Sequence, residues 1–147
     1  MSIPSEFVTT GKVLAVKDGL VVFRPRQTNY ELHLRTEGQY GGPVDRPVEV
    51  RIRAVARKVW TVPSGGNFVT PIIGTPRIVQ GRVRHADDRQ LVLVAGASFL
   101  IELPALDSAI DLPNGAITVG CMVNVTLLPG ASLELVSQPA TQAAAAT

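Results

Sequence analysis

A chain of 147 residues, 46% hydrophobic and 18% charged, has the material for a buried core and is not a disordered polypeptide. Its 14 lysines and arginines against 12 acids leave a net charge of only +2. The apolar runs, such as residues 91–95, fall far short of the roughly 20 residues a membrane helix needs.

The opening stretch MSIPSEFVTT has neither the basic flank nor the apolar stretch of a secretory signal, and Cys121 alone cannot form an internal disulfide. A reducing, cytoplasmic setting is therefore expected. From there on apolar residues alternate or run in blocks of four or five, and 13 glycines and 11 prolines punctuate them. This is an all-β pattern with little helix. The single helical candidate is the short piece from Ala105 to Ile110, between Pro104 and Pro113.

Five strand-like blocks appear in the first half and recur in the same order in the second. Residues 8–13 match 78–83, with Gly11 and Gly81 in equivalent places, and residues 20–23 match 91–94. Tyr30, Leu32 and Leu34 match Phe99, Ile101 and Leu103. Val48, Val50 and Ile52 match Val123, Val125 and Leu127, and residues 59–62 match 133–136. Five collinear blocks with one core parity predict an internal duplication, each unit having the size of a small five-stranded barrel. Closure is the usual way such a sheet removes its unpaired edges, and a glycine permits the sharp bend. The layout is similar to two OB-like barrels in tandem; SH3-like barrels, or one sandwich built from both repeats, are the alternatives.

The expected organisation is a first, basic barrel over residues 1–62, a Pro/Gly-rich apolar linker over 63–76, a second, acidic barrel over 77–136 and a disordered tail over 137–147. Residues 1–76 hold ten basic side chains against six acids, and residues 77–147 hold four against six. In the first unit the charges fall on one strand parity. Glu31, His33 and Arg35 alternate with Tyr30, Leu32 and Leu34, and Glu49, Arg51 and Arg53 alternate with Val48, Val50 and Ile52. In the second unit the matching strand, FLIELP, is apolar on both faces, with Leu100 in the place of Glu31 and Ala95 in that of Arg24. A strand of that kind is normally covered on both sides.

Two functions follow as expectations. The first is a non-catalytic interaction or assembly module that binds a protein partner or itself as a homo-oligomer. Its contact surface would be the apolar second barrel and linker, at Phe68, Ile72, Ile73, Val92 and Leu100. The alternative is single-stranded nucleic-acid binding by the basic outer face of the first barrel. Its contacts would be Lys12, Arg24, Arg26, His33, Arg35, Arg51, Arg53, Lys58 and Trp60. Interleaved acids and an aromatic content of 5% weigh against that alternative.

An enzyme is not expected, and neither is a cofactor, a bound metal or a membrane. His33 and His85 stand outside any metal-ligand spacing. The sequence RHADDR, holding His85, Asp87 and Asp88, reads as a solvated turn, and Asp18-Gly19 reads as a two-residue hairpin in the corresponding place. Cys121 in VGCMVNV reads as a buried structural thiol. The glycine loops at 41–43 and 64–67 lack the Lys and Ser/Thr of a phosphate-binding loop.

Overall fold

The structure of the protein is a computed structural model, and it describes residues 7–103, 110–111 and 117–137. Twelve strands follow in chain order: β1 (Thr9–Lys17), β2 (Leu20–Pro25), β3 (Glu31–Arg35), β4 (Pro47–Val62), β5 (Phe68–Thr70), β6 (Ile73–Gly74), β7 (Ile78–Ala86), β8 (Gln90–Val94), β9 (Ser98–Glu102), β10 (Ile110–Asp111), β11 (Met122–Leu127) and β12 (Ser132–Ser137). The fold is all-β, the described residues contain no helix, and every strand belongs to one sheet. The expected short helix falls on residues 105–110, of which all but Ile110 lie outside the described residues, as does the tail beyond residue 137.

Local chemistry accounts for the hairpins. Asp18-Gly19 closes β1 on β2 in two residues, with Lys17 opposite Leu20. Asp87 closes β7 on β8, its Oδ1 accepting the N–H groups of Arg89 and Gln90, both at 2.8 Å.

The longest element explains the rest. β4 runs for 16 residues without a glycine or an internal proline, so nothing in it can turn. Its inward positions are Val48, Val50, Ile52, Ala54 and Ala56, after which Arg57 and Lys58 are both exposed and the inward phase resumes at Val59 and Thr61. The extra residue is a β-bulge, seen as the register shift opposite Thr126 and Leu127. β11 and β12 lie end to end along β4, Met122 facing Val62 and Ser132 facing Arg53.

Each half of β4 thereby completes a different closed path of hydrogen-bonded neighbours. One path runs β1, β2, β3, β12, first half of β4, and back to β1. The other runs β7, β8, β9, second half of β4, β11, and back to β7. The sheet therefore crosses the division at residues 63–76: β12 sits in the path of the first half, and residues 52–62 sit in the path of the second. The linker is itself in the sheet, β5 pairing with β7 and β6 with β3.

The two paths repeat each other pair by pair. Gly11 faces Val48 and Gly81 faces Val123; Val13 faces Phe23 and Val83 faces Leu93; both first strands carry a bulge two residues further on. A Cβ on Gly11 would collide with the Arg24 carbonyl and the Phe23 ring, and one on Gly81 with the Val94 carbonyl. Both positions need glycine for close approach of the second strand.

Two sequence correspondences shift. Phe23 corresponds to Leu93, one residue from the alignment above, and Leu32 to Phe99, two residues from it. Leu100 thus stands in the place of His33, not Glu31, and Val94, not Ala95, in that of Arg24. A two-residue slip preserves strand parity, and a one-residue slip is silent in a block apolar on both faces, so the pattern could not arbitrate.

The inward side chains form one hydrophobic cluster through both paths, with Phe23, Leu32, Leu34 and Ile52 from one and Leu93, Phe99, Ile101 and Val125 from the other. Thr9 adds a polar tie between them, its hydroxyl accepting the Ser98 N–H at 2.8 Å.

Candidate binding surface

The outer face of the first path is built by strand parity. Leu32, Leu34, Val48, Val50 and Ile52 are fully buried, which turns Glu31, His33, Arg35, Glu49, Arg51 and Arg53 outward. The structure divides the nine basic and aromatic candidates among separate places. Lys12 faces Arg24 across β1 and β2, and Arg26 follows on the turn after Pro25. These three line a groove of about 600 Å³. Arg24 forms a 3.1 Å ion pair with Glu31, whereas the side chains of Lys12 and Arg26 have no partner among the described residues.

Arg51 and Arg53 form the second group, and both reach Glu134 of β12 at 3.4 Å. Arg35 faces Ser132 on the same strand. The acid comes from the other end of the chain, so part of the positive charge read from the first half is offset where it is displayed. Beside it, Tyr40 donates its hydroxyl to the Pro43 carbonyl at 2.7 Å, and burial raises its phenol pKa.

Lys58 and Trp60 form the third group, on the half of β4 that pairs with β11, the ammonium 5.7 Å from the ring centroid. His33 is half-buried opposite Val22. No single continuous face carries all nine.

The apolar candidates also separate. Val92 and Leu100 are 0% and 2% exposed and are covered within the chain itself, so neither is available to a partner; this corrects the expectation that they line an interface. Val69 is buried, its N–H donated to the Tyr30 hydroxyl at 3.2 Å, and Phe68 is half-buried. Ile72 and Ile73 remain 58% and 59% exposed although β6 is pinned to β3 and the Glu31 N–H bonds the Ile72 carbonyl at 2.8 Å. Next to them Pro71, Pro76, Leu127 and Pro129 border a groove of about 740 Å³ whose rim carries Arg57 and Arg77. Neither arginine was among the sequence candidates. The readable signal was the doubled Arg57-Lys58 in an otherwise strict alternation.

The remaining residues that the sequence singles out make local contacts. His85 Nε2 lies 3.2 Å from Asp87 Oδ2, and the Asp87 carboxyl pKa is lowered chiefly by the Arg89 N–H, with His85 and the Gln90 N–H adding to it. No group of three potential metal ligands occurs among the described residues. Cys121 is half-buried just before β11 rather than fully buried within a strand, and its Sγ accepts the Thr118 N–H at 3.4 Å. Among the described residues no helix is long and apolar enough to cross a membrane.

One further pair of residues escaped the sequence reading. Gln27 and Asp45 both adopt left-handed backbone, at φ 63° and 65°, and both line the groove of Lys12 and Arg26. The Asp45 N–H bonds the Val13 carbonyl at 2.7 Å, and the Gly120 N–H bonds the Val83 carbonyl at the same distance. Matching Val48 with Val123 already aligns Asp45 with Gly120, so the conformation was legible there. Comparison with protein-family models, with curated proteins and with solved structures finds no match to this chain.

Proposed function

We propose that the chain is a non-catalytic interaction module, two OB-like five-stranded barrels made by duplication, which contacts a second copy of itself or another protein through the linker. The order 1-2-3-5-4-1 in each closed path, with matching registers and bulges, supports the barrels. In this reading each barrel takes its fifth strand from the opposite repeat. The module needs no cofactor and works in the cytoplasm.

The observation that carries the function is the exposure of Ile72 and Ile73 on a strand pinned by pairing. Adjacent apolar side chains held in water by a rigid backbone gain on being covered and lose little entropy when a partner arrives. Arg57 and Arg77 would supply orientation. Light scattering behind size exclusion, at low and high salt, tests it. A salt-resistant oligomer that reverts to monomer in Ile72→Ser with Ile73→Ser supports the linker contact. A concentrated wild type that stays monomeric removes self-association, and an oligomer indifferent to the substitutions removes the linker.

The second reading is single-stranded nucleic-acid binding at the basic outer face. It is favoured by Lys12 and Arg26, which have no partner among the described residues, and weakened by the pairing of Arg24, Arg51 and Arg53 with acids. An oligonucleotide that shifts the protein at low salt and releases it at high salt would favour this reading.

A further inference from the structure

The groove between β1, β2 and the loop before β4 carries three basic side chains and one acid. Lys12 and Arg26 have no partner among the described residues and stand on its β1–β2 side. Asp45 borders it as well, yet no ion pair joins Asp45 to Lys12, Arg24 or Arg26. The acid sits in left-handed backbone, which aspartate adopts less readily than glycine. The other repeat has glycine at that position, φ 94°. It also answers Lys12 with Arg82, whose guanidinium donates to the Gly120 carbonyl at 3.0 Å, and Arg24 with Val94. The second repeat therefore has the same backbone with one cation and neither Arg24 nor the acid.

We propose that this groove binds an acidic peptide segment. A carboxylate of the peptide pairs with Lys12 and Arg26, and its backbone N–H groups are accepted by Asp45. The apolar wall, made by Leu14, Pro25 and Pro47, takes a neighbouring aliphatic side chain. The charge pattern selects this occupant. A phosphate chain would meet Asp45 as a repulsive neighbour, and no aromatic side chain lines the groove, so bases would find no surface on which to stack. The site extends the protein-binding reading to a second face and does not depend on the linker contact.

Fluorescence anisotropy on the full chain tests it, with a labelled hexapeptide of alternating glutamate and leucine, its glutamine counterpart and a six-nucleotide oligothymidylate as probes. The acidic peptide should bind at least tenfold more tightly than the glutamine peptide. Lys12→Gln with Arg26→Gln should weaken it at least tenfold while an unchanged melting curve shows the fold intact. Asp45→Gly, which suits the backbone, should weaken it severalfold, and Ile72→Ser with Ile73→Ser should leave it alone. Equal binding of the two peptides would overturn the proposal, as would tighter binding of oligothymidylate. Tighter peptide binding by Asp45→Gly would do the same, because Asp45 would then be a repulsive bystander. Loss of binding in the linker variant alone would move the site to the linker.

Discussion

The two repeats share their inner faces and differ on their outer ones. Val13 with Phe23 and Val83 with Leu93 hold the same place, as do Leu34 and Ile101, Val50 and Val125. On the outside Lys12 opposite Arg24 becomes Arg82 opposite Val94, His33 becomes Leu100, and Asp45 becomes Gly120. Interior packing tolerates few shapes, so it preserves the common pattern, whereas an outward position responds only to what lies over it. The first repeat's outer face meets solvent at His33, whereas the corresponding Leu100 is covered by the chain, as Val22 and Val92 are in both repeats. What looks like a difference of function between the repeats is, at these positions, a difference of cover.

The comparison is broken most severely by separating the repeats. Residues 1–76 and 77–147 expressed apart each lose a strand of their closed path, β12 in one case and the second half of β4 in the other. Each fragment should lack a cooperative melting transition, and mixing the two should restore it. Two fragments that melt cooperatively alone would show that the repeats do not depend on exchanged strands.

A pair of identical substitutions at equivalent positions sharpens the comparison. Leu100→Asp puts a charge at a side chain 2% exposed, with Arg53 of β4 opposite it, and should cost about 2–3 kcal/mol, seen as a clear drop in melting temperature. His33→Asp changes a half-exposed side chain in the same place and should cost no more than about 0.5 kcal/mol. Similar losses in both would mean that the two outer faces are covered alike.

Exchanging the left-handed residues comes next in size. Gly120→Asp should destabilise by about 1 kcal/mol, because the space around Gly120 is open and only the backbone objects. Asp45→Gly should stabilise by less than about 1 kcal/mol, since the strain relieved is partly offset by the freedom glycine gains in the unfolded chain. Denaturant midpoints at constant slope would read both, and a loss of stability in Asp45→Gly would mean that the Asp45 side chain supports the fold.

The same positions show what the sequence could convey. The outward rows of β3 and β4, the paired glycines and the hairpin at Asp18-Gly19 were legible because each rests on local stereochemistry. Strand exchange was legible in part: the first repeat has no turn residue between its fourth and fifth blocks, whereas Pro129-Gly130 separates them in the second. The register of FLIELP was not, because a slip of two residues leaves strand parity unchanged. The cover over Leu100 was read as a partner because pattern shows that a side chain needs burial and not which chain provides it. The pairing of Arg51 and Arg53 with Glu134 spans more than 80 residues and leaves no local trace.

The smallest effect concerns the two equivalent hairpins, one closed by Asp18-Gly19 and the other by Asp87. Asp87 accepts the Arg89 and Gln90 N–H groups and sits beside His85, so its pKa is held below the ordinary 3.8. A carboxyl group with a lowered folded-state pKa stabilises the protein above its unfolded pKa, and that contribution disappears as pH falls through the lowered value. Asp87→Asn keeps an oxygen for the N–H groups but removes the charge. Its melting temperature should be slightly below wild type near neutral pH, and the gap should close in acid below 3.8. A gap at Asp87 that is constant down to the acid limit would assign the effect to hydrogen-bond geometry instead of charge, and the two hairpins would then differ only in length.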